Sequence, residues 1–437
     1  MPVEEQTAAG KSPAAAGGSV HLVVGLGMSG IGAVRALHEA RQNWLGVEAQ
    51  GAPGGWSQSW HVSGYRLDYG PHIMLDFDDD LRRWMALDAG LSFRDHRLNS
   101  VFFCDIEGRA VPVHLPLGDN IATLPPVALP DFPDTAHPTY LSYLVESFGA
   151  EVAARFLIPY DRKRLCVDLD TLPPKWNHRV LPAGKAKVGE ASYLYPVDVG
   201  VGALSRHLLQ GLDQNRLRCR TRLLRVSLEK KTAWLSDGSS VQFTSLYSSL
   251  PLPEFLNLID EQPFDPNEII ASLPYARTEL TYLALRSPWT QDYDFARFAS
   301  RHVAFHRLTV LSAYSENCCP PNETLLMLEA NSAPGSHSTV TTPPHKAMQQ
   351  LIDLGMFSPA TELAFSHTAR VEHSAIFMND KTPEFLSRVN DVLATSGVHL
   401  IGKFGRWEDM LMGRALQSGI KAARAQVSGG QALRRNR

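Results

Sequence analysis

The residues best placed to do chemistry stand near the start of the chain. Gly25-Leu26-Gly27-Met28-Ser29-Gly30 comes directly after the apolar run Val20–Val24. Each glycine has a physical task. Gly25 permits a tight turn out of a strand. Gly27 lets backbone approach a pyrophosphate with no Cβ in the way, and Gly30 lets a helix pack closely on that strand. A helix opening here would present free N–H groups, and its positive dipole end, to phosphate oxygens. Glu48 lies 21 residues after Gly27, where a carboxylate can accept hydrogen bonds from ribose hydroxyls. The same carboxylate disfavours a 2′-phosphate, so NADP is not expected at this site.

The elements that must hold these groups are also legible. Val20–Val24 has the short apolar character of a buried parallel strand. Ile31 to Leu37 has helical spacing, and Trp44-Leu45-Gly46-Val47 reads as a second strand ending at Glu48. Strand, glycines, helix, second strand and acidic end thus occur in order, which makes this a dinucleotide-binding βαβ unit rather than an isolated glycine pattern.

Other chemistry is sparse. The five cysteines, Cys104, Cys166, Cys219, Cys318 and Cys319, form no C-x-x-C pair, so they read as reduced thiols of a cytoplasmic protein. The sixteen histidines are scattered, and no metal site is expected. A formal charge of −3 argues against a nucleic-acid partner. No apolar run reaches the roughly 18–20 residues of a membrane span. Hydrophobic residues at 44% supply a sizeable core, and 437 residues allow two or three domains. The ends, 1–18 and 431–437, read as polar tails. No heptads mark a dimer interface, although a homodimer is compatible with the sequence.

The segment after Glu48 narrows the cofactor. Gly51-Ala52-Pro53-Gly54-Gly55-Trp56-Ser57 is succeeded by Gly64-Tyr65-Arg66-Leu67-Asp68-Tyr69-Gly70-Pro71-His72. This resembles the flavin-binding proteins of the amine oxidase, protoporphyrinogen oxidase and UDP-galactopyranose mutase group. There an acidic residue is followed by a Gly-Gly pair, an extended segment and an Asp-x-Gly turn beside the flavin. Later segments are similar to the mutase-like branch, in the same order. They are the hairpin around Ile106-Glu107-Gly108-Arg109, the stretch Phe156 to Lys163 with Leu172-Pro173, the turn Gly200-Val201-Gly202, and the strand Ser245 to Pro251. The closing segment, Leu400 to Trp407 with the helix from Met412, completes the series. Arg216 to Cys219 and Leu223 to Val226 read as paired strands, with an Asp237-Gly238 hairpin after them. Thr278 to Leu285 and Ala304 to Ala313 read as strands of a substrate sheet.

The resemblance implies an α/β fold: a Rossmann-like FAD-binding domain from 19–100, 196–262 and 395–430, interleaved with an α+β substrate domain from 101–195 and 263–394. It implies FAD contacts from Gly25, Gly27, Met28, Ser29, Gly30, Glu48, Ala49, Gly54, Gly55, Trp56, Ser57, Gly70, Pro71, His72, Leu223, Gly402, Arg406 and Met412. It also implies that His72, Tyr160, Lys163 and Arg179 stand near the reacting centre. An imidazole there could move a proton, and cations with a tyrosine would suit a small anionic or hydroxylated substrate. The chain departs from the mutase branch at Ile376-Phe377-Met378-Asn379-Asp380, where the branch carries a tyrosine, at Arg164-Leu165-Cys166, where it carries an aromatic, and at Leu411-Met412, where it carries Asp-Met. The expected function is an FAD-dependent oxidoreductase moving a hydride from a small polar metabolite (an amine, amino acid or sugar derivative) to flavin N5. The alternatives are a non-redox mutase acting on a sugar nucleotide through reduced flavin, and a flavin-free binding protein on the same fold.

Overall fold

The structure, a computed structural model, describes residues 20–70, 72, 74, 80–81, 93–97, 99–114, 129, 138–174, 192–196, 200–335 and 342–435. Its strands in chain order are β1 (Val20–Val24), β2 (Trp44–Val47), β3 (Ser59–Val62), β4 (Tyr65–Asp68), β5 (Phe93–Arg97), β6 (Ser100–Ile106), β7 (Arg109–His114), β8 (Ser192–Pro196) and β9 (Leu217–Arg218). Next come β10 (Leu223–Ser227), β11 (Thr232–Leu235), β12 (Ser240–Ser248), β13 (Tyr275–Leu285), β14 (Phe295–Phe298), β15 (Arg307–Val310), β16 (Thr324–Ser332), β17 (Leu363–Ile376) and β18 (Val398–Leu400).

The first sheet has the order β10-β11-β12-β1-β2-β9, with β18 paired to β12. β1 lies parallel to both β12 and β2. Leu22 and Val23 have no exposure, which is why β1 reads as a continuous apolar run: helices or strands cover both its faces. The helix Met28–Glu39 (α1) packs on one face together with the last helix, Met412–Arg435. These two helices touch backbone to backbone. A Cβ on Gly419 would fall 1.8 Å from the Ser29 carbonyl oxygen, so the end of the chain fixes the start of α1.

The second sheet has the order β17-β13-β16-β15-β14-β6-β7. Its outer face carries Leu283, Leu308, Leu326 and Phe298 under the helix Pro344–Asp353. Its inner face packs Leu280, Tyr282 and Met327 against Tyr65 and Leu67 of the β3–β4 hairpin. The hairpin is therefore the joint between the two sheets. Its Asp68 is buried, accepts a hydrogen bond from Tyr195 Oη, and lends its backbone carbonyl to Tyr282 Oη at 2.6 Å. Burial raises the Asp68 carboxyl above the usual range.

Several sequence expectations stand corrected. Residues 216–219 and 223–226 do not pair with each other: β9 joins β2, and β10 joins β11. The strand expected over 304–313 is only β15, because Leu311–Tyr314 turns into a helix. The last helix runs through Arg435, so most of the expected tail 431–437 is helical. The expected tail 1–18 lies outside the described residues. Among the described residues no helix is long and apolar enough to cross a membrane.

Candidate functional site

The glycine motif folds as its spacing demands. β1 ends at Gly25, which has φ of 82°, and α1 starts at Met28. A Cβ on Gly30 would lie 1.9 Å from the Gly25 carbonyl oxygen, so only glycine lets the helix sit this close to the turn. Gly27 is the residue before the helix, and no side chain caps it and no acidic residue sits in the first turn. The helix N–H groups and dipole are thus left for an anion from elsewhere. The second glycine pair closes on the first. Gly27 and Gly54 form a parallel bridge, Gly54 donates its N–H to the Leu26 carbonyl at 2.7 Å, and a Cβ on Gly55 would stand 3.1 Å from Gly27 Cα. Gly55, Trp56 and Ser57 form a 3₁₀ turn, with Trp56 edge-on to Tyr69 at 5.1 Å.

Glu48 sits at the end of β2 and is 6% exposed. Its carboxylate accepts the Leu26 N–H and the Gln50 N–H, each at 2.8 Å. Each oxygen has lone pairs left for hydroxyl donors. Thr221 donates its N–H to the Glu48 carbonyl at 2.8 Å, so Leu223, two residues on, starts β10 close to the same strand end. Ala49 is half-buried there. Met28 and Ser29 are buried in the first turn of α1. Gly402 approaches Ser29 closely enough that a Cβ would lie 2.2 Å from its hydroxyl, and Met412 opens the last helix against the α1 core. These residues fit a dinucleotide: a backbone cradle without Cβ atoms, an uncapped helix end and a carboxylate at the ribose position.

A second group gathers around His72, with charges from the second sheet and from the helix Gly402–Arg406. Gly70 is buried, and a Cβ there would touch the His72 ring at 3.3 Å. His72 is deep in the molecule, keeps some accessible surface, and among the described residues has no hydrogen-bond partner at Nδ1. Burial pulls its pKa down to about 4, with Arg307 and Lys403 pushing the same way and the Gly70 backbone opposing them. The imidazole is therefore neutral at pH 7. Its two cationic neighbours come from opposite sides, Arg307 from β15 and Lys403 from the helix Gly402–Arg406.

Arg307 belongs to a row across the inner face of the second sheet. Phe102, Arg297, Arg307 and Glu329 are successive cross-strand partners on β6, β14, β15 and β16. Two arginines directly opposite each other repel. Arg307 is relieved by a two-pronged pair with Glu329, Nε to Oε1 and Nη2 to Oε2. Burial works against its charge, but Glu329 more than offsets this and its pKa is raised. Arg297 has no such relief. Its guanidinium stands 4.7 Å from the Phe295 ring centroid and 5.5 Å from that of Phe102, and Nη1 is buried without a partner among the described residues. Burial lowers its pKa, and Arg307 and Arg164 add to the effect. Tyr160 packs against this row, edge-on to Phe102 at 5.6 Å and 5.9 Å from His306. His306 is held neutral by burial and the surrounding cations, and its Nδ1 is also unpartnered.

Four sequence expectations part from this arrangement or lie beyond it. Lys163 does not face a ligand. Its ammonium donates to the carbonyls of Phe298 (3.1 Å), Ser300 (3.0 Å), Val303 (2.7 Å) and Phe305 (2.9 Å). It clasps the turn between β14 and β15, and its protons are fully committed. Arg406 is also corrected: it points outward, 52% exposed, and pairs with Glu408 at 3.1 Å. Lys403, three residues earlier, is the cation of that segment near His72, and it pairs with Asp409 at 3.0 Å. Pro71 and Arg179 lie outside the described residues.

Sequence reasoning missed Arg297, Arg307 and Lys403. In Phe295-Ala296-Arg297-Phe298 both faces carry apolar residues, so the run gave no sign that the arginine faces inward. His302 and His306 do share an H-x-x-x-H spacing, but they sit on a turn rather than a helix, with His302 exposed and His306 buried. Among the described residues no group of three potential ligands could hold a metal ion. Asn379, in the segment lacking the expected tyrosine, serves structure: its side-chain oxygen accepts the Lys381 and Thr382 N–H groups at the start of the helix Thr382–Thr395, and its amide donates to the Ala271 carbonyl at 2.8 Å.

Comparison with known proteins bears on the fold. Residues 23–89 match the family model of an NAD(P)-binding Rossmann-like domain. A sequence search among curated proteins finds no match. Among solved structures, reduced UDP-galactopyranose mutase is similar with a TM-score of 0.82 at 21% identity, covering 94% of this chain and 96% of the other. A putative protoporphyrinogen oxidase from Exiguobacterium sp. 255-15 gives 0.70 at 15% identity, over 94% and 99% of the two chains. Cyclohexylamine oxidase from Brevibacterium oxydans IH-35A gives 0.69 at 15%, also over 94% and 99%. The glycine cradle, the second sheet across from it and the end-to-end similarity give one conclusion: the chain has the amine-oxidase-like α/β fold, in the form shared with UDP-galactopyranose mutase.

Proposed function

We propose that the chain is an FAD-dependent oxidoreductase of the cytoplasm, acting on a small polar metabolite. The carrying observation is the double-glycine cradle: Gly27 faces Gly54 and Gly55 with no side chain between them, at the uncapped end of α1 and beside Glu48. The FAD-binding resemblance of the segment from Gly51 to His72 supports flavin over a nicotinamide cofactor.

Bound flavin would supply an acceptor for a hydride at N5. The chain's own residues do the rest. The N–H groups of Met28, Ser29 and Gly30 hold the pyrophosphate. Glu48 accepts from ribose hydroxyls. The β3–β4 hairpin, tied through Asp68 to Tyr195 and Tyr282, fixes the distance between the cofactor side and the second sheet. His72 carries a neutral imidazole whose Nδ1, without a partner among the described residues, can accept a hydrogen bond from a bound molecule. Tyr160 and Arg297 line the substrate side and orient the molecule there.

The test is anaerobic mixing of the purified protein with a metabolite panel. Bleaching of the visible flavin band without added reductant supports the oxidoreductase. The similarity to UDP-galactopyranose mutase, at a TM-score of 0.82, favours a second reading, a non-redox mutase. That reading requires turnover of a sugar nucleotide only after dithionite, with no net electron consumption. A colourless protein that takes up no FAD sinks both.

A further inference from the structure

The geometry points to a carboxylate-binding subsite at Arg297, so that the substrate is a small monocarboxylate anchored by this one guanidinium. The inference rests on the face of the second sheet that carries Arg297 being the substrate side of the site proposed above.

Charge matching decides the class. Among the described residues, the cationic side chains that cluster here are Arg164, Lys163, Arg297 and Arg307. Arg307 is matched by Glu329. Arg164 is matched by Asp161 at 2.9 Å. Lys163 is buried among four carbonyl oxygens, with Asp105 as its nearest acidic influence. Near His72, Lys403 is matched by Asp409. His72 and His306 are neutral at pH 7. Arg297 alone has neither an ion pair nor a side-chain hydrogen bond among the described residues, and two phenyl rings hold it in place.

A buried charge without a partner costs several kcal/mol, and such charges in folded proteins are normally paired. One unmatched positive charge calls for one negative charge. The planar fork of a guanidinium fits the two oxygens of a carboxylate. A phosphate dianion or a diphosphate would need a second free cation, which among the described residues of this face means breaking Arg307 from Glu329. The flanking phenyl rings of Phe102 and Phe295 also favour a compact anion with an apolar neighbour over a heavily hydrated one. Tyr160, beside the same row, is placed to donate its hydroxyl to the bound anion.

The experiment uses the purified full chain in carboxylate-free buffer. Acetate, propionate, benzoate, inorganic phosphate and pyrophosphate are titrated by thermal shift and, in parallel, by perturbation of the visible spectrum. Monocarboxylates should raise Tm saturably, and the Arg297-dependent part of phosphate and pyrophosphate binding should be at least tenfold weaker. Losing a charge-assisted two-pronged contact weakens binding by roughly 10- to 100-fold, so Arg297→Met should lose the carboxylate response by about that factor. Without ligand, Arg297→Met should melt at or above the wild type, because it removes an unmatched buried charge. Arg297→Lys, which keeps charge but not the fork, should bind carboxylates more weakly than the wild type. Wild-type carboxylate affinity in Arg297→Met, or Arg297-dependent binding of pyrophosphate tighter than that of any carboxylate, overturns the inference. The thermal readout does not need flavin. A colourless protein with Arg297-dependent carboxylate binding keeps this inference and removes the flavin reading, and a yellow protein without it does the reverse.

Discussion

Replacing Gly27 by alanine separates folding from cofactor binding. Gly27 has φ of −68° and ψ of −175°, extended values that alanine adopts freely. The nearest atom to a Cβ there is Gly55 Cα at 4.0 Å, an ordinary contact. The folded protein therefore tolerates the methyl group, and a compatible Gly→Ala change adds about 0.4–1 kcal/mol by restricting the unfolded chain. The cofactor does not tolerate it, if backbone at this point must approach a pyrophosphate. Losing one charge-assisted hydrogen bond costs about 1.5–3 kcal/mol, which weakens FAD binding by roughly 10- to 100-fold. The assay is FAD titration of the flavin-stripped variant by fluorescence quenching, with a melting curve of each stripped protein. The expected result is a variant that melts at or above the stripped wild type but binds FAD at least tenfold more weakly. FAD binding at wild-type affinity would refute the cradle.

Gly30→Ala should behave in the opposite way, since its Cβ meets the Gly25 carbonyl oxygen at 1.9 Å. A loss of about 1–3 kcal/mol in urea unfolding is expected from such overpacking, and no loss would contradict the close fit of helix on turn. His72 gives a pH dependence. Its folded pKa lies at about 4, below the ordinary value near 6.5, so the unfolded chain binds more protons between those limits and stability falls as pH drops through them. The share is at most about 3 kcal/mol, and His72→Gln should flatten the urea-measured slope over this window; an unchanged slope contradicts it. Lys163→Met leaves four carbonyls without their donor and should cost at least about 3 kcal/mol, whereas a cost under about 1 kcal/mol would return Lys163 to the ligand-binding candidates. Arg406→Ala breaks only an exposed pair, worth about 0–1 kcal/mol, so FAD content and Tm should both stay close to wild type.

Legibility in the sequence tracked the range of the interactions. The cradle could be read because each glycine answers to a neighbour within one βαβ unit, and Glu48 falls at a fixed distance along it. The hairpin at Ile106 to Arg109 was readable for the same reason, whereas the helix opening at Gly202, which packs on the distant Ser59, was legible only through the family resemblance. The pairing of β9 with β2 was not, because it is set by a strand about 170 residues away, where Gly46 meets Leu217. The arginine row depended on register: Arg297, Arg307 and Glu329 lie on three strands, and only their pairing shows that two charges cancel and one does not. Lys163 looked like a ligand residue because its run is charged, and only the folded turn of β14 and β15 supplies the four carbonyls that hold it. Arg406 and Lys403 stand three apart on one short helix, so identity alone did not tell which turns inward.

The most direct measurement is the flavin content of the protein as purified. Heat-denatured wild-type chain should release FAD, identified by chromatography, approaching one molecule per chain, and the stripped protein should take it up again in preference to NAD or NADP. A full-length, folded chain that releases no flavin and fails to bind added FAD would contradict the account.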